Sequence, residues 1–133
     1  MILDSSAVVA ILRAEPDAPA MAETITSAGA CGISVVSYVE AAIVIDCGRD
    51  PIASRRFDDF FRESEIVIES VTLEQAEIAR EAYRDFGKGR HRAGLNFGDC
   101  FAYALAKEKG EALLFKGDDF RHTDIEPAED LNG

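Results

Sequence analysis

Short apolar runs alternate with longer stretches of helical pattern along this chain, and this alternation constrains its fold more than any other feature. The runs lie at residues 1–3, 31–37, 66–70 and 112–115. Each has the length of a strand, and stretches with helical periodicity and capping residues separate them. Strands connected through helices run parallel, and a parallel sheet is covered by helices on both faces. The sequence therefore predicts an α/β fold with a central, mostly parallel sheet between two helical layers.

Capping residues, prolines and glycines predict where the helices lie between these runs. Ser37 and Glu40 have the spacing of a capping box, and so do Thr72 and Gln75. No linker or repeat divides the chain, so we expect one domain spanning residues 1–133. The predicted helices cover residues 5–14, 17–28, 38–47, 51–64, 72–86 and 99–109.

Charge and cysteine content argue against several classes of function. The chain has 25 Asp and Glu residues against 14 Lys and Arg, which gives a formal net charge of −11. This balance argues against binding a membrane surface or a long duplex groove by charge alone. Cys31, Cys47 and Cys100 have no C-x-x-C spacing, so we expect buried free thiols and no zinc site. Because the opening lacks a signal-peptide pattern, we expect a cytoplasmic protein without a membrane span.

Acidic residues follow the predicted strands. Asp4 ends the first strand, Glu40 lies in the first turn of the helix after the second, and Asp118 and Asp119 follow the fourth. Ligands of parallel α/β sheets bind at the carboxyl ends of the strands. Asp99 begins the helix before the fourth strand, so it reaches this edge only if the preceding loop and helix fold back. The pattern alone leaves the position of Asp99 open.

Each of these acids also has a purely structural interpretation. Asp4 and Asp99 suit helix N-caps, Glu40 suits a capping box, and the Asp118–Asp119 pair suits an ordinary turn. If the acids instead gather at one place, they repel each other and raise one another's pKa unless a cation lies between them. Oxygen ligands without histidine or cysteine favour Mg²⁺ or Mn²⁺ and phosphoryl chemistry over zinc.

The segment GKGRHRAGLNFG, residues 87–98, combines glycine with positive charge. Lys88, Arg90 and Arg92 form the densest basic group in the chain. Such side chains bind phosphates, and glycine lets a backbone approach them closely, although a solvated loop has the same composition. Lys116 extends this positive charge. Ser6, two residues after Asp4, is suited to donate a hydrogen bond to Asp4 or to a substrate phosphate.

Four segments are together similar to the PIN-domain ribonucleases, and among them to the VapC-like toxins of type II toxin–antitoxin systems. The segments are MILDSSAVVAIL, SYVEAAIVI, GLNFGDCFAYALAK and LLFKGDDFRHTDI, in this order. The resemblance runs from residue 1 to about residue 125. It implies a PIN-like three-layer α/β/α fold in which Asp4, Glu40 and Asp99 meet around Mg²⁺ or Mn²⁺.

The resemblance also implies a function. It implies a metal-dependent endoribonuclease toxin that hydrolyses phosphodiester bonds in structured RNA (tRNA or rRNA), pairs as a homodimer and is neutralised by a cognate antitoxin. Many members end in a Thr-x-Asp-x-Asp-Phe pattern, from which Phe115 and Gly117 depart. Asp119 keeps the position of the last acid and is favoured over Asp118 as the fourth catalytic and metal-binding carboxylate.

Two alternatives to a nuclease are compatible with the same residues. One is an acidic-pocket phosphoacceptor or phosphatase-like domain. Within that class, haloacid-dehalogenase-like domains require an acid two residues after the first acid, and this chain has Ser6 at that position. The other alternative is a catalytically silent binding module that has kept the PIN fold.

Overall fold

The computed structural model describes residues 1–128, so residues 129–133 of the predicted single domain lie outside the described part. Helices and strands alternate along residues 1–128 as the sequence predicts. In chain order the elements are β1 Ile2–Leu3, α1 Ser5–Leu12, α2 Ala18–Ala28, β2 Cys31–Ser34, α3 Val35–Asp46, α4 Pro51–Glu63, β3 Ile66–Glu69, α5 Leu73–Phe86, α6 Phe97–Lys109, β4 Leu113–Leu114 and a 3₁₀ turn at Asp119–His122.

The four strands form one parallel sheet in the order β3-β2-β1-β4. In the register of this sheet, Leu3 of β1 lies beside Ile33 of β2 and Leu114 of β4. The residues that follow these three therefore emerge at the same edge of the sheet. Asp4 begins there, and its backbone N–H donates to the carbonyl oxygen of Leu114 at 2.9 Å. The prediction of a parallel sheet is confirmed.

The sheet separates two hydrophobic cores because neighbouring strand residues face opposite sides. Ile2 and Leu113 pack with residues of α5 and α6 on one face. Leu3 and Leu114 pack with residues of α1 to α4 on the other. All four of these strand side chains are buried. The result is the three-layer α/β/α arrangement, in which the sheet is covered by helices on both faces.

Helices α5 and α6 pack against each other in opposite directions, and this arrangement positions the end of α6 that carries Asp99. Thr72 and Gln75, at the start of α5, both donate to Glu108 near the end of α6. At the end of α5, the carbonyl oxygen of Phe86 accepts from the backbone N–H of Leu95, and this hydrogen bond closes the loop between the two helices. Because α6 leads into β4, its first turn lies at the carboxyl edge of the sheet. The loop and helix do fold back, which answers the question that the sequence left open.

Two helices begin earlier than the sequence pattern predicts. Helix α3 begins at Val35, where Ser34 is the N-cap and its hydroxyl accepts from the N–H of Val36 at 3.2 Å. The predicted capping box of Ser37 and Glu40 is therefore wrong, since both residues lie inside the helix. Helix α6 begins at Phe97 and not at Asp99.

Two side-chain placements complete the fold. Cys31 and Cys100 are buried free thiols as expected, but Cys47 is exposed just after α3, so the prediction of three buried thiols is wrong for that residue. Phe57 is buried and packs against Tyr38 and its helical neighbours, so it belongs to the core. No helix in residues 1–128 combines the length and apolar character that crossing a membrane requires.

Candidate active site

Asp4 is the most deeply buried acid of the candidate site, with 2% of its surface exposed. It caps α1, because its Oδ2 accepts from the Ser6 N–H at 3.0 Å and from the Ser6 hydroxyl at 2.6 Å. Its Oδ1 is buried and has no hydrogen-bond donor in the described part of the chain. Burial raises the pKa of Asp4, the two Ser6 hydrogen bonds oppose this increase, and the charge of Asp119 adds to it. Asp4 is thus a helix cap with one buried oxygen left without a partner.

Glu40 lies on α3 and faces α1 and the start of α6. The Ser5 hydroxyl donates to its Oε1 at 2.9 Å. Burial raises the pKa of Glu40, and the nearby charge of Asp4 raises it further. Gly98 lies directly against this carboxylate, since a Cβ placed on Gly98 would stand 2.0 Å from Oε2 of Glu40. Any larger residue at this position would push the Glu40 carboxylate away from where it lies now.

Asp99 is the third residue of α6 and reaches the same place. Its backbone N–H donates to the Asn96 side chain at 2.8 Å, and its Oδ2 accepts from the Asn96 N–H at 3.0 Å. This is a reciprocal capping box in which Asn96 is the N-cap, so the interpretation of Asp99 as the cap itself is wrong. Burial and the charges of Asp4, Glu40 and Asp119 raise the pKa of Asp99 to about 7, although the Asn96 N–H opposes this increase.

Of the two residues considered as a fourth acid, Asp119 is the one whose charge reaches the others. Repulsion from Asp119 contributes to the raised pKa of both Asp4 and Asp99. Asp118 points away, with 86% of its side chain exposed and Arg121 at 3.9 Å. The structure therefore brings Asp4, Glu40, Asp99 and Asp119 together at the carboxyl edge of the sheet.

The donor set of this cluster fits a hard divalent cation. As the side chains stand in residues 1–128, no group of three or more Asp, Glu, His or Cys residues is close enough together to hold a metal ion. However, Oδ1 of Asp4 is buried without a partner, and the charges of the neighbouring acids add to the effect of burial on the pKa of Asp99, so negative charge gathers here without compensation. Carboxylate oxygens are the ligands that Mg²⁺ and Mn²⁺ prefer, and a cation removes such repulsion. The chemistry of these residues therefore suits such an ion, and their side chains would draw together to bind it.

The predicted phosphate-binding residues have different surroundings. Lys88, Arg90 and Arg92 are exposed on the loop that precedes α6. Lys116 is not free in the same way, because its ammonium group lies 2.5 Å from Glu15 and 3.2 Å from Asp17. Its backbone N–H donates to the Ser6 hydroxyl at 3.0 Å, which connects the turn after β4 to the hydroxyl that contacts Asp4. The Lys116 side chain, which the sequence analysis expects to attract phosphate, is therefore paired with two acids of this chain.

Three residues of the site were missed by the sequence reasoning. Ser5 positions Glu40, Gly98 makes room for it, and Asn96 caps the helix that carries Asp99. The spacing of Asn96 and Asp99 is that of a capping box and could have revealed Asn96. Gly98 and Ser5 have no local signal, because their partner Glu40 is distant in the sequence.

Comparison with known proteins finds relatives along nearly the whole chain. The PIN domain family model matches residues 1–126. The chain is 52% identical over 131 residues to ribonuclease VapC28 of Mycobacterium tuberculosis, covering 98% of each protein. It is 47% identical over 125 residues to ribonuclease VapC of Mycolicibacterium smegmatis, covering 94% of this chain and 97% of that one.

Solved structures share the fold at low sequence identity. The sarcin–ricin loop cleaving toxin VapC20 of Mycobacterium tuberculosis aligns with a TM-score of 0.73 at 17% identity, over 93% of this chain and 95% of that one. A toxin–antitoxin complex from Klebsiella pneumoniae aligns with a TM-score of 0.68 at 15% identity, over 92% of each chain. By its acidic edge, its family match and its relatives along nearly the whole length, this chain belongs to the PIN-domain family and, within it, to the VapC ribonucleases.

Proposed function

We propose that this protein is a divalent-metal-dependent endoribonuclease toxin that hydrolyses a phosphodiester bond in structured RNA, such as tRNA or rRNA. The observation that carries the proposal is the convergence of Asp4, Glu40, Asp99 and Asp119, where burial, and then repulsion from the other three acids, raises the pKa of Asp99 to about 7. The ribonuclease names of its close relatives support the reaction class. We also propose that it acts in the cytoplasm, where tRNA and rRNA are found.

The four acids would hold Mg²⁺ or Mn²⁺, which supplies an activated water and neutralises charge on the phosphate. Asp4 offers its unpartnered Oδ1, while Ser6 fixes the other oxygen. Glu40 is fixed by Ser5 and Asp99 by the Asn96 N–H, so one oxygen of each carboxylate is already oriented. Such fixed orientation reduces the reorganisation that the reaction would otherwise require.

Positive charge near the acids supports binding of a polyanion by a chain whose net charge is −11. Lys88, Arg90 and Arg92 are assigned to phosphate contacts, because they are exposed on the loop that leads to Asp99. Ser6 is assigned a supporting role toward Asp4. The Lys116 ammonium is paired with Glu15 and Asp17, so its positive charge contributes less to the attraction of RNA than the sequence predicts.

The test compares RNA cleavage by the parent, Asp99→Asn and the control Asp58→Asn, an exposed acid on α4. Asp99→Asn should abolish Mn²⁺-dependent cleavage, while Asp58→Asn should leave it intact. Cleavage by Asp99→Asn at the parental rate would contradict the assignment. A stable phosphoryl-protein intermediate would favour the phosphoacceptor alternative, and a lack of both cleavage and carboxylate-dependent Mn²⁺ binding would favour the silent binding module.

Two protein partners are proposed as well, a cognate antitoxin and a second copy of the chain. A cognate antitoxin that places an Arg or Lys among the four acids would neutralise them in place of the cation. The toxin–antitoxin complex with the same fold supports this kind of partner.

A homodimer is also proposed, because Val35, Val39 and Ile43 form an exposed apolar stripe along α3 beside Glu40. Sedimentation of Ile43→Glu against the parent tests it, since a charge in the stripe should shift a dimer toward the monomer.

A further inference from the structure

A cleft of about 510 Å³ lies between α5 and α6, beside the candidate active site but outside it. Helix α5 contributes a stripe that includes Ala79 and Tyr83, and α6 contributes Phe97 and Phe101. This α5–α6 cleft has the size of a small-molecule or side-chain binding site. The acid cluster makes no use of it, so its occupant has to be inferred from the chemistry of its walls.

Aromatic rings dominate the α6 wall of the cleft. The ring centroids of Phe97 and Phe101 lie 5.0 Å apart at an interplanar angle of 63°. Phe97 is 72% exposed, although exposure of so large an apolar ring is unfavourable in water. Tyr83 is 40% exposed on the opposite wall. Two walls of accessible aromatic rings suit a flat, unsaturated ligand that stacks.

Positive charge surrounds the same cleft. Arg80 and Lys88 line it directly, and Arg84, Arg90 and Arg92 follow on the same helix and loop. Within residues 1–128, these five cations form no salt bridge, whereas Lys107, Lys109 and Lys116 are each paired with a carboxylate. Unpaired cations beside an apolar aromatic surface complement a ligand that has phosphates next to a stacking ring.

The cleft is continuous with the acid cluster through one turn of helix. Asn96 and Phe97 line the cleft, and Asn96 is hydrogen-bonded to Asp99. With 3.6 residues per turn, Phe97 and Phe101 share one side of α6, and Asp99 lies on the other. An RNA chain that leaves the acid cluster would therefore reach the cleft by crossing the start of α6.

We propose that the α5–α6 cleft is a stacking site for an unpaired base of the RNA, from a nucleotide next to the one that is cut. This inference rests on the proposed RNA substrate and narrows it to RNA whose cut site lies in a loop or single strand. Sequence-tolerant recognition of unpaired bases commonly combines aromatic stacking with a basic groove along the backbone. An apolar side chain of a protein partner is the competing occupant, and the experiment separates the two.

The experiment measures binding of a short single-stranded RNA of mixed sequence to the full chain in the presence of a chelator. Phe97→Ala should weaken binding about 5- to 150-fold, the loss that corresponds to about 1–3 kcal/mol for one stacked base. The matched control is Ile52→Ala, which removes an exposed apolar side chain on the opposite helical layer and should not change binding.

Two further variants distinguish stacking from general apolar contact. Phe97→Trp should keep the affinity, whereas Phe97→Leu should lose it, because leucine is apolar but has no ring to stack on a base. An RNA in which the bases are replaced by abasic sites should bind the parent weakly, and Phe97→Ala should add little to that loss, since both changes remove the same interaction.

Parental RNA affinity in Phe97→Ala would overturn the proposal, and so would full affinity in Phe97→Leu, because it would show that RNA binding does not depend on a ring that can stack on a base. Because binding is measured without metal, it is independent of cleavage. If the parent cleaves RNA but Phe97→Ala binds it normally, only this inference fails. If Phe97 is needed for binding but the parent never cleaves RNA, the proposed nuclease activity fails, and the stacking site remains without its place next to a cut.

Discussion

Replacing Asp99 by Asn should stabilise the metal-free protein at alkaline pH while it abolishes RNA cleavage. In the folded chain, burial and three neighbouring carboxylates raise the pKa of Asp99 to about 7, against an ordinary value of 3.8. Asn has nearly the same shape, and its side-chain oxygen can still accept from the Asn96 N–H, so the capping box is retained. The substitution thus removes the repulsion with little structural change.

The sign and size of the effect follow from proton linkage. Between about pH 4 and pH 7 the folded state holds a proton on Asp99 that the unfolded state releases, so stability falls as pH rises through this window. The full difference in pKa corresponds to about 4 kcal/mol at 1.36 kcal/mol per pH unit. Because Asp99 is only partly buried, solvent screening reduces this free energy. We therefore expect Asp99→Asn to raise the free energy of unfolding by about 2 kcal/mol.

The assay is urea unfolding of the parent, Asp99→Asn and Asp58→Asn with chelator present, across this pH window. The advantage of Asp99→Asn should be largest near pH 8 and should shrink toward pH 4, while Asp58→Asn should follow the parent. Adding Mn²⁺ should then stabilise the parent, by about 2.7 kcal/mol at a hundred times the dissociation constant, and should stabilise Asp99→Asn far less. If Asp99→Asn proves less stable than the parent near pH 8 in chelator, the four acids do not repel one another as inferred.

Three further outcomes are expected. Gly98→Ala should lower Mn²⁺ affinity and RNA cleavage at least tenfold, because its Cβ would overlap the Glu40 carboxylate, and calorimetric titration with Mn²⁺ measures the loss. Tyr103→Phe should lower the free energy of unfolding by about 0.5–1.5 kcal/mol in urea, because it removes a 2.7 Å hydrogen bond to Asp124. Arg90→Ala should reduce the slope of log affinity for RNA against log salt by about 1 if it contacts one phosphate, as fluorescence anisotropy at several salt concentrations can show.

The order of the helices and strands could be predicted from the sequence because their signals are local. A cap, a proline or a run of apolar residues acts on its neighbours within a turn or two. The same locality explains the errors at helix starts. Ser37 and Glu40 have capping-box spacing, but Ser34 caps α3 three residues earlier, at the end of β2. Local spacing could not distinguish these serines, because pairing with β1 and β3 decides where β2 ends.

By itself, then, the sequence determined a parallel α/β chain with acids at the ends of its strands. Only the tertiary structure decided that Asp99 joins Asp4 and Glu40, because α6 starts at the carboxyl edge after the loop from α5 turns back. It also showed that the charge of Asp119 acts on Asp4 and Asp99, that Asp118 points away, and that Gly98 lies against the Glu40 carboxylate. Repulsion between carboxylates and the space available to a Cβ depend on distances between residues far apart in the chain, which no local pattern specifies.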